Sequence, residues 1–395
     1  MFSFCMTKEA NKLCFLYAYE DDFMIEMGGY KVANPDSIET PAMIVFEDKV
    51  DENIQILCDL VEGSKNVFAH VKTHKSEEIT RKQVEAGFAG FKCATLSEVE
   101  MTLAAGAKEV ILAYPMVQRL KIERFVDIVV SNADAKIYAV VSQPIHVERL
   151  SQIAEEHDVN VRVLLDLDVG MHRTGIAVGE EALMLYQLVD AKNKLSALGL
   201  HIYDGHEHFS DSVERERAAE AHINEVNVFV SELRSRGLQV ERIVGGGSFS
   251  FLYYAKTEGM YGSPGTCIYW DTGYGDAMPD LSFRWAALVL GQIVDVYSGG
   301  EIQTITTDLG HKAICGDVPL AKRARLLNHQ EAELIGQNEE HGIFRLSGSL
   351  PEVGSYVLAV PGHVCPTTIR YPGSYVLNSE GELVDFYPHT ARDRQ

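Results

Sequence analysis

The sequence predicts an α/β chain in which a (β/α)8 barrel is followed by a second, mostly β domain. From Ser76 to about Trp270, short β-branched or apolar runs alternate with longer helix-patterned segments, the rhythm of βα units. Eight such strand runs separated by helices fit a closed barrel better than an open doubly wound sheet. After Trp270 the rhythm changes, and from about Leu288 strands follow one another with Gly-Gly and Pro-Gly punctuation.

Taken in order, residues 1–27 hold Cys5, Cys14 and the acidic cluster Glu20-Asp21-Asp22, with neither an apolar run before a cleavage site nor an Arg-rich amphipathic pattern. They are expected to be a poorly ordered extension. Residues 28–47 contain Tyr30–Phe46, read as a strand lent to the β domain, which makes that domain discontinuous. The barrel is expected over 48–275, with strands at Asn66–Val71, Phe88–Ala94, Val110–Ala113, Lys136–Val141, Val161–Asp168, Leu198–Ile202, Ile243–Gly245 and Gly265–Trp270. Helices are expected at Glu77–Ala86 and at Ser212–Arg236, the second capped by Ser212 and stopped by Gly237. The β domain, 276–395, is expected to carry strands at Gln292–Val296, Thr304–Asp308, Tyr356–Val360 and Ile369–Tyr371.

Composition narrows the partners. Lys and Arg total 35 against 57 Asp and Glu, a formal charge of −22, which repels phosphate backbones and anionic lipid. A phosphate on a small molecule is still admissible, because backbone N–H groups hold it locally. No window approaches the ~20 apolar residues of a membrane span. Seven cysteines without a C-x-x-C pair point to a reducing compartment such as the cytoplasm.

Three groups of residues carry the chemistry. Lys72, in His70-Val-Lys72-Thr-His-Lys75, ends the first strand, at the face where barrels assemble active sites. Covalent imine chemistry needs an amine that is neutral part of the time, and burial at a barrel mouth moves a lysine that way. By itself the segment also reads as a solvated basic loop. Arg173 follows the fifth strand, Tyr203 and His206 the sixth, and Gly245-Gly246-Gly247-Ser248 the seventh, all at one rim. The glycines let N–H groups approach a phosphate and Ser248 adds a hydroxyl, although a glycine run is also simply a turn. In Pro361-Gly-His363-Val-Cys365-Pro-Thr367 an extended chain would place His363 and Cys365 on one face, able to share a metal. Imidazole with thiolate favours zinc over magnesium, and two protein ligands leave positions for water and a substrate hydroxyl. The alternative is a buried His and Cys in a β core.

Together, His-Val-Lys-Thr-His-Lys at 70–75, Gly-Met-His-Arg-Thr-Gly at 170–175, Tyr-Asp-Gly-His at 203–206, Gly-Gly-Gly-Ser at 245–248, Asp-Leu-Gly-His-Lys at 308–312 and His-Val-Cys-Pro-Thr at 363–367 resemble the D-threonine aldolase and D-serine dehydratase family, whose barrel is alanine racemase-like. The likeness runs from about Ser37 to Tyr387. It implies pyridoxal 5'-phosphate on Lys72, with His70 and Tyr203 in the cofactor pocket, Arg173 on the ring oxygen, and Gly246, Gly247 and Ser248 at the phosphate. It also implies a divalent metal on His363 and Cys365, zinc first and manganese or magnesium as alternatives, and a homodimer in which the β domain of one subunit approaches the barrel mouth of the other. Two departures matter. An Arg-Pro pair precedes the first His in the family, where this chain has Phe68-Ala69, so the substrate's acid group is expected to be held differently. Family aldolases tend to have Asp at the second metal position and dehydratases Cys, so Cys365 leans toward dehydration.

The activity this implies is a lyase acting on D-serine, D-threonine or D-3-hydroxyaspartate, with Lys72 as the base at Cα and the metal polarising the β-hydroxyl. The products are a keto acid and ammonia after loss of water, or glycine and an aldehyde after retro-aldol cleavage. The competing readings are a metal-free amino-acid racemase, which has no need of the His-x-Cys pair; a non-catalytic pyridoxal-phosphate carrier, which resembles a bare barrel; and an unrelated barrel enzyme that uses only a metal.

Overall fold

A computed structural model describes residues 23–299 and 302–394. Of the expected extension, residues 1–22 lie outside the described residues. From Met24 to Met27 the chain is already a strand, paired antiparallel with Tyr30–Ala33.

The barrel is built of eight parallel strands in sequence order: Phe68–His70, Gly90–Cys93, Glu109–Leu112, Lys136–Val141, Val161–Asp168, Leu195–Ile202, Arg242–Gly245 and Tyr261–Gly262. A parallel bridge from Val67 to Gly262 closes the ring. The first seven lie where the sequence puts them, with shifted ends. The eighth does not. Gly265–Trp270 was expected to be the strand, but the pairing residues are Tyr261 and Gly262, and Thr266–Ile268 form a 3-10 turn. The apolar run at 267–270 is buried as loop and turn, which periodicity cannot separate from a short buried strand.

The strand period of two sorts each side chain inward or outward. Val163, Leu165 and Leu167 face the helices, while Leu164 joins Phe68, Ile111, Tyr138, Val140 and Val244 in the plug that fills the barrel. Continuing upward by twos, Asp166 follows Leu164 on the inner side. Lys92 lies between the outward Phe91 and Cys93, and His201 between the outward Leu200 and Ile202. Lys92, Asp166 and His201 are thus a buried polar layer above an apolar plug.

In the β domain the long strand Ala287–Gly299 pairs antiparallel with Ile302–Thr307, Tyr356–Pro361 and Ala42–Phe46. Ala42–Phe46, buried along its whole length, also runs parallel to Gly373–Leu377. Ile369–Tyr371, expected as a strand, is instead the exit from a helix, Val364–Thr368, and pairing resumes only at Gly373. The expected helices stand at Glu77–Glu85 and Ser212–Ser235. The second is capped by Asp211, not Ser212: its carboxylate accepts from the N–H groups of Val213 and Glu214.

Candidate active site

A cavity of about 300 Å³ opens at the C-terminal face of the barrel. His70, Lys72, Tyr203, Gly247, Ser248, His363 and Cys365 all line it, so the barrel rim and the β domain meet at one place. Gly246 and Arg173 do not line it. Gly246 has φ +77, and an added Cβ would meet Ser250 and Tyr254, so its role is to turn the chain. Arg173 is exposed, with its guanidinium carbon 4.8 Å from the centre of the Tyr203 ring.

Lys72 is partly buried, and its N–H donates to His70 Nδ1 at 3.4 Å. Its Nζ is 5.9 Å from the Tyr203 ring centre, and Lys92 Nζ approaches the same ring at 5.4 Å. Lys92 donates to Ser263 Oγ, which in turn donates to the carbonyl of Gly246 at 2.8 Å. Burial, then repulsion from Lys72, pushes the Lys92 amine down to about 7, with Asp166 and Asp204 opposing. Three basic side chains therefore surround one aromatic ring. Beneath them, His201 Nδ1 and Asp166 Oδ1 share a hydrogen bond of 2.6 Å.

The Gly247 N–H is not free for a ligand, because it donates to Ser250 Oγ at 3.1 Å. Ser248 instead faces the Tyr274 phenol, which burial holds above its usual range. Ser248, Ser263, Thr266 and Tyr274 give the cavity wall four hydroxyl groups. An amine beside a hydroxyl-lined pocket of this size is a donor set that fits a phosphorylated aromatic aldehyde. Pyridoxal phosphate fits these residues.

His363 and Cys365 meet by a route other than the extended strand expected. His363 is the residue before the helix Val364–Thr368, and Cys365 lies in its first turn. The helix start is fixed by Asp271, whose two oxygens accept from Tyr274 N and Val364 N, each at 2.9 Å. The Cys365 sulfur lies 3.2 Å from Thr73 Oγ1 and 3.6 Å from Thr266 Oγ1. Burial alone would raise this thiol, but His363, and beyond it Lys72 and Thr73, hold it below its ordinary value. His363 is pushed up to about 9: burial works against the shift, and Cys365 and Asp317 outweigh it. Asp317 Oδ2 lies 2.6 Å from His363 Nδ1, an arrangement that leaves Nε2 for a metal. A low thiol beside a carboxylate-oriented imidazole is a donor set that fits a zinc-like cation.

Lys92, Asp317, Tyr274 and Asp271 were absent from the sequence-derived site. Lys92 left a signal: a lone lysine amid the apolar alternation of Phe88–Ala94. The other three are brought in by tertiary structure and left none.

The alanine racemase N-terminal domain family matches residues 45–273, more than half of the chain. The chain belongs to this family. Beyond the family's barrel, a putative serine dehydratase domain matches residues 286–377, as the motifs at 308–312 and 363–367 suggested. The chain is 26% identical over 368 residues to a 3-hydroxy-D-aspartate aldolase of Paracoccus denitrificans (strain Pd 1222), covering 90% of this chain and 93% of that one. It is 23% identical to a D-threo-3-hydroxyaspartate dehydratase of Delftia sp. (strain HT23), over 88% of this chain and 96% of that protein. In three dimensions it is similar to the D-threonine aldolase of Filomicrobium marinum, with a TM-score of 0.81, 27% identity, and coverage of 90% and 95%. The likeness read from the motifs is borne out.

Proposed function

We propose that this chain is a pyridoxal-phosphate-dependent lyase of D-3-hydroxy amino acids, with the cofactor on Lys72 and a divalent metal, zinc by choice of donors, on His363 and Cys365. The observation that carries the reading is that two domains converge on one cavity. Thr73, next to Lys72, and Cys365 are 292 residues apart in sequence and 3.2 Å apart in space. Similarity to both an aldolase and a dehydratase supports the substrate class and leaves both cleavage routes open.

The cofactor, when bound, supplies an electron sink for charge developing at Cα. The chain's own residues do the rest. Lys72 is the amine that takes the Cα proton, and its backbone is held by His70. Ser248, positioned by the Gly246–Gly247 turn, offers its hydroxyl to the phosphate, while Tyr203, carrying Arg173 on its face, forms the wall beside the ring. Asp317 keeps His363 turned toward the cavity, and Thr73 and Thr266 orient the Cys365 sulfur. A cation bound there would lend Lewis acidity to a β-hydroxyl. With Phe68 and Ala69 buried, the first strand offers no charge to the substrate's carboxylate. A homodimer and a cytoplasmic location complete the reading. No helix among the described residues is long and apolar enough to cross a membrane.

The test is incubation of purified protein with D-serine, D-threonine and D-3-hydroxyaspartate, with keto acid, glycine and aldehyde measured separately. Turnover of at least one, lost on chelation and restored by zinc, is expected. No product from any of the three, or full activity without metal, contradicts the reading.

A further inference from the structure

His206, Glu207 and His222 lie outside the cavity of Lys72 and take no part in the chemistry proposed above. His206 and Glu207 follow the sixth barrel strand, and His222 lies on the helix Ser212–Ser235. Their ligand atoms all fall within 4.8 Å of one another. The Glu207 Oε1 atom is 3.3 Å from His206 Nε2 and 3.4 Å from His222 Nε2. Those contacts are long for charge-assisted hydrogen bonds, which run at about 2.7–2.9 Å. They match donors that share an ion: at zinc–ligand lengths of about 2.0–2.1 Å, tetrahedral geometry separates neighbouring donors by about 3.3–3.5 Å.

Two further observations point to a ligand. The His222 Nε2 atom is buried and has no hydrogen-bond partner among the described residues. A buried ring nitrogen without a partner is costly unless something else satisfies it. Next, Gly170 leaves the His206 nitrogen open, since a Cβ at that position would stand 2.8 Å from His206 Nε2.

We infer that His206, Glu207 and His222 form a second divalent-metal site, of the two-histidine, one-carboxylate kind that suits zinc, distinct from the His363–Cys365 pair. Three protein ligands leave an open position for water or a small anion. The ion ties the loop after the sixth strand to the helix that follows. That loop begins at Tyr203, so the site braces the wall of the neighbouring cavity without touching it.

The experiment counts metal. Wild type, His222→Gln, His363→Ala and the double variant are stripped with chelator, dialysed against zinc, and analysed for zinc per chain by mass spectrometry of the elements. Cofactor absorbance and circular dichroism report folding. Two ions are expected in wild type, one in each single variant and none in the double variant. Thermal unfolding of His363→Ala should still shift upward with zinc, and that shift should vanish in the double variant. If His222→Gln proves unable to fold, His206→Ala, at an exposed position, takes its place. Equal zinc in wild type and in the His222→Gln or His206→Ala variant overturns the inference. Loss of zinc on His222→Gln with no loss on His363→Ala would uphold it while removing the metal from the proposed active site.

Discussion

Asp317 is the residue that the sequence could not offer. It lies 46 positions before His363, in a loop with no motif, and only the fold brings its carboxylate to the imidazole. Orienting carboxylates of this kind typically change metal affinity 10–100-fold, so Asp317→Asn should weaken zinc binding by about that factor with cofactor absorbance unchanged. Competition with a chromogenic chelator reads the affinity directly, and an unaltered value would deny Asp317 its role. His363→Ala should remove turnover while leaving the cofactor bound. Lys92 gives a prediction of a different kind. Its amine titrates near 7 in the folded chain against about 10.4 unfolded, so between those values the unfolded state binds more protons and stability rises with pH. Below pH 7 the full penalty of burying the charge is present, on the order of 5 kcal/mol. Lys92→Met should therefore resist urea better than wild type at pH 6, with the difference shrinking toward pH 9. A constant difference across that range would contradict the assignment.

At the scale of elements, the barrel strands were legible because their inner and outer faces are both buried and read as unbroken apolar runs. The eighth was misplaced for the same reason. Residues 267–270 are as apolar as a strand and are buried as a turn. His363 and Cys365 show that one juxtaposition can follow from either of two elements. An extended chain and the first turn of a helix both bring positions 363 and 365 together, so the spacing could not tell them apart. The sixth barrel strand carries a feature no pattern announced. Between Ala197 and Gly199 its register shifts, and a Cβ at Gly199 would lie 1.8 Å from the Arg242 carbonyl of the seventh strand. Gly199→Ala should cost about 2–4 kcal/mol, measured by urea unfolding, because backbone cannot yield as a side chain would. Wild-type stability would show that the two strands part easily.

The whole molecule turns on one junction. The barrel supplies an amine and a hydroxyl-lined pocket; the β domain supplies a thiol and an imidazole; the proposed function needs both sets. The sequence revealed both sets as motifs, and the family likeness implied that the β domain of one subunit approaches the barrel mouth of the other, whereas here the two sets meet within one chain. Two lysines stand within 6 Å of the same tyrosine ring, and of the two Lys92 is the more deeply buried. Which of them carries the cofactor is therefore the decisive question. Borohydride reduction of the holoenzyme, followed by peptide mass spectrometry, answers it. A pyridoxyl group on Lys72 is the predicted result, and one found on Lys92, or on no lysine at all, would contradict the account.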